Sequence, residues 1–502
     1  MMKGFARRYR DWLQSMGFVE GDPFAVYEAE REGPDLLPYC FIDRPYLHEV
    51  LGDPEWPQAA FLSAGRGAGK TATRMMVAYE ASRGYFRGKV FVVDYTDFNS
   101  LLERVDGDLS HLTLRHHVEG VLRAALHDLA DDFLLQERLA SLPAVERSLL
   151  AAYIHAFADP HTSLRLGGLK DTSAPIDLAL LSPLELLQGF AGLIARTGRA
   201  AVYILVDRVD ETPQTAGNVE AAVALLRPLV VHQPLLEMPH LAFKFFISKE
   251  MGEALCASLP LRTDRMLMRT IHWGHEDLKA ALRLRLQHFS GGQVEDMGQL
   301  CVSGIQSIVT DRLVSWVCDS PFPSPRTLLR LCGELLRHHV SVSEQLLIRG
   351  SEVSAVQAQF LSALQEEGRP LKREKAAILA PVPAAIPSEG IYLDDNDEVW
   401  VDGRRLEKPL SALEHRLFRA LYVRAGQIVS VEELIASVWY PMSRLWTEEE
   451  QNNAADEVRL RKLVARLREA LEPDPKQPRF VINVRGRGYR LDGIARALPS
   501  LK

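Results

Sequence analysis

The chain has 502 residues, of which 47% are hydrophobic and 25% are charged, and this composition excludes a disordered, collagen-like or coiled-coil protein. At roughly 100–200 residues per domain, the length predicts about two to four domains. Lys and Arg number 59 against 66 Asp and Glu, so the net charge of −7 excludes a surface that is basic throughout and confines any DNA contact to a local patch.

Five cysteines form no Cys-x-x-Cys pair, which predicts reduced thiols and no zinc site. The N-terminus is charged, and no stretch of about 20 residues is uninterruptedly apolar. We therefore expect a cytoplasmic protein without a membrane span. Residues 1–45 carry no readable chemistry, and their role stays open.

Residues 46–274 alternate short β-branched or aromatic runs with longer helical patterns, which predicts an α/β domain with a parallel sheet covered by helices. Runs this apolar are typical of strands that are buried on both faces. The predicted strands are Ala59–Ser63, Val90–Asp94, Val202–Val206, Phe243–Ser248 and Met266–Ile271.

A glycine-rich loop follows the first predicted strand and leads into a helical pattern. The loop contains Gly65, Gly67 and Gly69, which let backbone amides turn toward a phosphate at the helix N-terminus. Lys70 would neutralise β- and γ-phosphate oxygens, and Thr71 would ligate magnesium. The sequence therefore predicts a P-loop that binds ATP with magnesium; the alternative is a glycine-rich turn that binds nothing.

The buried strand Val202–Val206 runs into three carboxylates, which predicts a Walker B segment. In this interpretation Asp207 orders the magnesium shell, and Glu211 or Asp210 orients the water that attacks the γ-phosphate. The pattern resembles the STAND class of AAA+-related signalling ATPases, with Arg208 where that class usually has a small residue. The alternative is a polar strand end without catalytic function.

That resemblance implies two further nucleotide contacts. The strand ending at Ser248 resembles a sensor-1 strand, which would place Ser248 or the following lysine beside the γ-phosphate. Residues 275–365 have helical periodicity and resemble a lid in which Arg326 is the sensor-2 arginine. The alternatives are a polar strand terminus and a solvated arginine at a helix start. Arg262 and Arg265 are candidate fingers toward a neighbouring subunit if the protein oligomerises.

Residues 366–390 are charged and then rich in Pro and Ala, which predicts a semi-rigid linker. Residues 391–492 contain an Asp-Gly turn at 402–403, helical patterns at 410–421 and 426–435, a basic run at 466–468 and a hairpin pattern at 479–491. Ser430 and Glu433 predict a capping box at the start of the second of these helices. Together these segments resemble the OmpR/PhoB-type winged-helix DNA-binding domain.

A helix over about 454–471 would carry an apolar stripe and a separate basic stripe, as expected of a helix in the major groove. Residues 456–492 contain ten basic and six acidic residues, a local net charge of +4. The alternative is a winged helix that binds protein. The predicted DNA-binding residues are Arg459, Lys462, Arg466, Arg468, Arg485 and Arg487.

Together these features predict an ATP-dependent transcriptional regulator with low ATPase turnover, in which a P-loop switch controls a C-terminal winged helix that binds double-stranded DNA. The alternatives are a DNA-directed ATPase of genome defence, replication or remodelling, and a scaffold that binds ATP without hydrolysis. Nucleotide-dependent self-association and an upstream signal stay open.

Overall fold

The computed structural model describes residues 2–495 except 84–85, 87, 170–176, 259–265, 321, 368–386, 394–397, 407, 409 and 440–453. Arg262, Arg265 and most of the predicted linker lie outside the described residues.

A five-stranded sheet lies in the N-terminal part of the chain. Its strands are β1 (Ala60–Ala64), β2 (Val90–Tyr95), β3 (Ala201–Val206), β4 (Leu241–Ser248) and β5 (Leu267–Ile271). The strand order is β2-β3-β4-β1-β5, and β1 pairs in parallel with β4 on one side and β5 on the other. The predicted parallel sheet is confirmed, because each predicted strand overlaps an observed one.

Helices precede, separate and follow these strands. The α-helices are α1 (Met2–Ser15), α2 (Ala29–Cys40), α3 (Pro45–Leu51), α4 (Lys70–Ser82), α5 (Asn99–Arg104), α6 (Leu114–Leu129), α7 (Phe133–Ala140), α8 (Ala144–Phe157), α9 (Pro160–Arg165), α10 (Pro183–Arg196), α11 (Val219–Val230), α12 (Gln233–Leu236), α13 (Lys249–Ser258), α14 (His275–Phe289), α15 (Val309–Cys318), α16 (Pro325–Val342), α17 (Gly350–Glu367), α18 (Ala412–Tyr422), α19 (Val431–Trp439) and α20 (Ala454–Leu471). Among the described residues, no helix is both long enough and apolar enough to cross a bilayer.

The chain divides into two units. The first unit combines Met1–Val90, Leu205–Val223 and Ala242–Glu374. The second unit combines Phe91–Ile204, Ala224–Leu241 and Lys375–Lys502.

The helical part of the first unit includes the N-terminal helix. Trp12, Leu13 and Phe18 belong to the same hydrophobic cluster as apolar residues of α14, α15, α16 and α17. Trp12 Nε1 also donates a hydrogen bond to the carbonyl of Leu346, at 2.9 Å. The N-terminal segment therefore completes the core of the helical region, a role that its sequence did not reveal.

The C-terminal part of the second unit has the winged-helix arrangement. Its strands are β6 (Ile391–Leu393), β7 (Val399–Val401), β8 (Arg404–Arg405), β9 (Val481–Val484) and β10 (Gly488–Leu491). The first three strands form one antiparallel sheet, β9 and β10 form the wing hairpin, and α18, α19 and α20 share their core. The predicted capping box is present: Glu433 N donates to Ser430 Oγ at 3.1 Å, and Ser430 N donates to Glu433 Oε2 at 3.1 Å.

Gly488 fixes how the wing meets the rest of this domain. Its φ is +129°, and a Cβ at this position would lie 2.0 Å from the carbonyl oxygen of Val429. Tyr489 N donates to that carbonyl at 3.0 Å. Only glycine allows this approach, because any side chain would separate the two backbones.

The central strands are buried on both faces, and one of their buried side chains is charged. All six residues of β3 are buried, and so are the first seven of β4. Lys244 of β4 is only 1% exposed, and its Nζ donates to the carbonyl of Gln58 at 2.8 Å. Burial lowers the pKa of Lys244 to about 7.

This lysine gives the protein a specific pH dependence. Above pH 7 Lys244 is neutral in the folded protein, whereas in the unfolded chain it holds its proton up to about pH 10. The unfolded state therefore binds more protons, and stability rises between about pH 7 and pH 10. We expect Lys244→Met to flatten this rise in denaturant unfolding followed by circular dichroism. The exposed Lys249→Met is the matched control, and equal slopes in both variants would contradict the expectation.

Candidate nucleotide site and nucleic-acid interface

The loop between β1 and α4 has the backbone geometry of a phosphate cradle. Gly67 has φ of +74° and Gly69 has φ of +95°, values that side-chain-bearing residues rarely adopt. Gly65 has open space where a Cβ would lie. The helix begins at Lys70, so the loop amides and the positive end of the helix dipole lie together.

The start of α16 lies directly against this loop. A Cβ on Gly67 would be 3.0 Å from Arg326 Cβ and 3.1 Å from Ser324 Oγ. Ser324 caps the helix by accepting a hydrogen bond from Thr327 N at 3.2 Å. Arg326 Nε is buried and has no hydrogen-bond partner among the described residues. The structure thus brings the predicted sensor-2 arginine beside the P-loop, and its Nε is not used by any described residue.

Two of the predicted carboxylates meet the first turn of α4. Lys70 Nζ lies 3.8 Å from Asp210 Oδ2. Asp207, at the end of β3, accepts hydrogen bonds from the Thr71 side chain and from Arg208 N, the latter at 2.9 Å. Arg74 Nε lies 3.2 Å from Asp207 Oδ2. Burial raises the pKa of Asp207, while these three donors stabilise its charged form.

Arg208 adopts a strained backbone conformation. Its φ is +63°, in the left-handed region, which costs on the order of 1 kcal/mol for a residue that is not glycine. Glycine would adopt this conformation without strain. The Arg208 guanidinium pairs with Glu30 of α2 and lies 3.7 Å from Glu211 Oε2. Burial raises the pKa of Glu211.

Ser248 lies where the sequence placed it but has a local partner. It ends β4 directly opposite Ala64, the last residue of β1. Its hydroxyl accepts a long hydrogen bond of 3.4 Å from Met251 N, at the start of α13. A contact from Ser248 to phosphate stays a prediction.

Sequence reasoning missed the residues that support the loop from outside the motifs. Trp273 Nε1 donates to the carbonyl of Ala68, in the P-loop, at 2.9 Å. The Arg44 guanidinium lies 5.3 Å from the ring centre of Tyr46 and 4.9 Å from that of Trp273, and it pairs with Asp277 at 3.1 Å. An aromatic residue two positions after a strand at the carboxyl edge of the sheet was the available signal for Trp273.

The recognition-helix candidate, α20, separates apolar and basic residues as predicted. Arg459, Lys462 and Arg466 are exposed, and Arg459 pairs with Asp456 at 3.1 Å. Arg485 and Arg487 are exposed in the turn between β9 and β10. The buried side of the helix is formed by Leu460, Leu463, Val464, Leu467 and Leu471.

Arg468 differs from the other predicted DNA-binding residues. Its Nε and Nη2 donate hydrogen bonds of 3.0 and 2.7 Å to the carbonyl of Val481. The side chain therefore joins α20 to β9 within the domain. This contact gives Arg468 a structural role, and its contact with DNA stays a prediction.

The first helix of the winged-helix domain has partners elsewhere in the second unit. Arg416 Nε lies 2.5 Å from Glu185 Oε1 of α10, and Arg419 Nη2 donates to the carbonyl of Ala179 at 3.1 Å. Glu185 also accepts from Ser182 N at 3.0 Å, which caps α10. One carboxylate thus holds both the start of α10 and the side of α18.

Fold and motifs define a P-loop-like α/β protein that carries a C-terminal winged-helix domain. Residues 406–491 match the family described as "Transcriptional regulatory protein, C terminal", which confirms the OmpR/PhoB-type resemblance of this segment.

Protein PetR of Rhodobacter capsulatus is 33% identical over 121 residues, which are 23% of this chain and 49% of PetR. The chain therefore spans about half the length of this curated relative. The solved structure of the Aeropyrum pernix ORC1 protein in complex with DNA aligns with 93% of this chain and 94% of its own at 13% identity, with a TM-score of 0.34.

The structural role of Arg468 is testable by stability. Arg468→Ala removes two hydrogen bonds to one buried carbonyl, so we expect the domain to lose about 1–2 kcal/mol of unfolding free energy. Arg466→Ala, on the exposed side of the same helix, should change it by less than about 0.5 kcal/mol. Denaturant unfolding of both variants measures this difference. Equal losses of unfolding free energy would contradict a structural role that is specific to Arg468.

Proposed function

We propose that this protein is an ATP-dependent, DNA-binding transcriptional regulator with low ATPase turnover. The observation that carries the proposal is the gathering of Lys70, Asp207, Asp210 and Arg326 around one glycine loop, in a chain that also holds a transcription-regulator winged helix. A nucleotide site does not require a winged helix, and a winged helix does not require a nucleotide site. Their presence in one polypeptide favours nucleotide control of DNA binding.

In the nucleotide half, the amides of Gly65, Gly67 and Gly69 receive the phosphates, and Lys70 and Arg326 supply positive charge. Thr71 and Asp207 are the residues that would hold magnesium, which neutralises the β- and γ-phosphate oxygens when bound. Glu211 or Asp210 orients the attacking water, and Ser248 lies at the same edge of the sheet.

In the DNA half, Arg459, Lys462 and Arg466 form the side of α20 that enters the major groove. Arg485 and Arg487 reach a phosphate or the minor groove from the wing. The proposal does not specify an oligomeric state or an upstream signal.

The nucleotide half is tested by two substitutions. Lys70→Ala should weaken binding of a fluorescent ATP analogue at least about tenfold, a loss near 1.4 kcal/mol, because the phosphate charge loses its main cation. Lys89→Ala, an exposed lysine, is the control. Glu211→Gln should keep ATP binding and slow phosphate release at least about tenfold. A Lys70→Ala variant that binds ATP normally would contradict the site.

The same hydrolysis assay separates the regulator from its alternatives. A regulator should turn over slowly with or without DNA. Hydrolysis that duplex DNA strongly stimulates would favour a DNA-directed ATPase instead. ATP binding without measurable hydrolysis, unchanged by Glu211→Gln, would favour a scaffold.

The DNA half is tested with a random duplex library and gel-shift selection. Lys462→Ala and Arg466→Ala should each cost about 1–3 kcal/mol of affinity if they read bases, and lower the salt slope by about 1 if they contact phosphates. Arg404→Ala, an exposed arginine on β8, is the control. Unchanged affinity in both test variants would remove α20 from the interface.

A further inference from the structure

Arg74 was not among the predicted site residues, yet it forms an ion pair with Asp207, the carboxylate on which the magnesium prediction depends. Arg74 is 8% exposed and Asp207 2% exposed, and Arg74 Nε lies 3.2 Å from Asp207 Oδ2. Buried charges are tolerated only when they are paired and hydrogen-bonded, so this contact is a structural necessity for both groups.

The position of Arg74 follows from the helix. It comes four residues after Lys70, so both side chains lie on the same face of α4. Lys70 faces Asp210 and Arg74 faces Asp207. Each of these two carboxylates therefore has a cation of α4 as a partner.

The residues fit magnesium only in part. The Thr71 hydroxyl and the Asp207 carboxylate are oxygen ligands of the kind that magnesium prefers. However, Asp207 already accepts hydrogen bonds from the side chains of Thr71 and Arg74 and from Arg208 N. A metal ion bound directly to Asp207 would compete with Arg74 for a carboxylate that has about four lone-pair sites and already accepts three hydrogen bonds.

An unpaired carboxylate beside the P-loop would repel the phosphates of free ATP, and in an ordinary site magnesium cancels this repulsion. We propose that Arg74 is a built-in counter-ion of Asp207 that takes over this task, so that the protein binds ATP with little dependence on magnesium. The inference rests on the proposed nucleotide binding. Magnesium is then required only at a step after ATP binding, in which Arg74 moves away from Asp207.

The test compares the dissociation constant of a fluorescent ATP analogue in excess magnesium and in excess EDTA, with the full chain. For the wild type we expect affinity to fall less than about fivefold on chelation. Arg74→Gln keeps a hydrogen-bond donor and loses the charge, so its affinity should fall at least about tenfold more than that of the wild type. Arg74→Lys keeps the charge and should behave like the wild type.

Arg83→Gln, an exposed arginine at the end of the same helix, is the matched control and should leave the magnesium dependence unchanged. Circular dichroism shows whether each variant folds. If Arg74→Gln does not fold, the ratio of the ATP dissociation constants in EDTA and in magnesium, measured for the wild type and for Arg74→Lys, still tests the inference. A wild type that loses ATP affinity about a hundredfold on chelation, with Arg74→Gln the same, overturns the inference and leaves ATP binding intact. A wild type that does not bind ATP in magnesium overturns the proposed function as well.

Discussion

The burial of the Asp207 carboxylate is the constraint on which the candidate nucleotide site depends. This residue directly follows a strand whose six residues are all buried, and it is itself only 2% exposed, so its charge is far from solvent. A carboxylate in such a place is stable only if several donors surround it. Arg74 and Thr71 on α4 and the backbone of Arg208 meet that demand, and the requirement fixes how α4 lies against the end of β3.

The same constraint extends to the helical region of the first unit. Because Arg208 turns its amide toward Asp207 in a left-handed conformation, its side chain points to Glu30 of α2. Two residues further, Glu32 pairs with Arg285 of α14 at 2.6 Å. Ion pairs on α2 thus connect the end of β3 with α14, which shares a hydrophobic core with the helix α16 that carries Arg326.

The features that the sequence predicted are those encoded locally. The five strands follow from short apolar runs, the P-loop from its glycine spacing, and the Ser430–Glu433 box from residues three apart. Contacts across long sequence separations could not be predicted. Arg74 and Asp207 are 133 residues apart, and Trp273 lies 205 residues from Ala68. No periodicity relates such pairs, because only the packing of the sheet brings them together.

The structural contact of Arg468 could have been predicted from the helical periodicity of α20. Arg459, Lys462 and Arg466 are three and four residues apart and share one side of α20, whereas Arg468 lies about 200° from Arg466 around the helix. Its contact with Val481 agrees with that angle. Charge alone groups Arg468 with the other three residues, whereas its position on the helix separates it from them.

The contact between α18 and α10 limits how DNA binding can be controlled. Arg416 and Arg419 hold α18 on the segment that separates β2 from β3 in the chain. The basic side of α20 and the tip of the wing stay exposed among the described residues. Within the described residues of the second unit, this face is therefore open to solvent. The proposed nucleotide control then has a physical route that leaves this face unchanged, because two or more domains held at a fixed spacing bind adjacent half-sites far more tightly than one domain does.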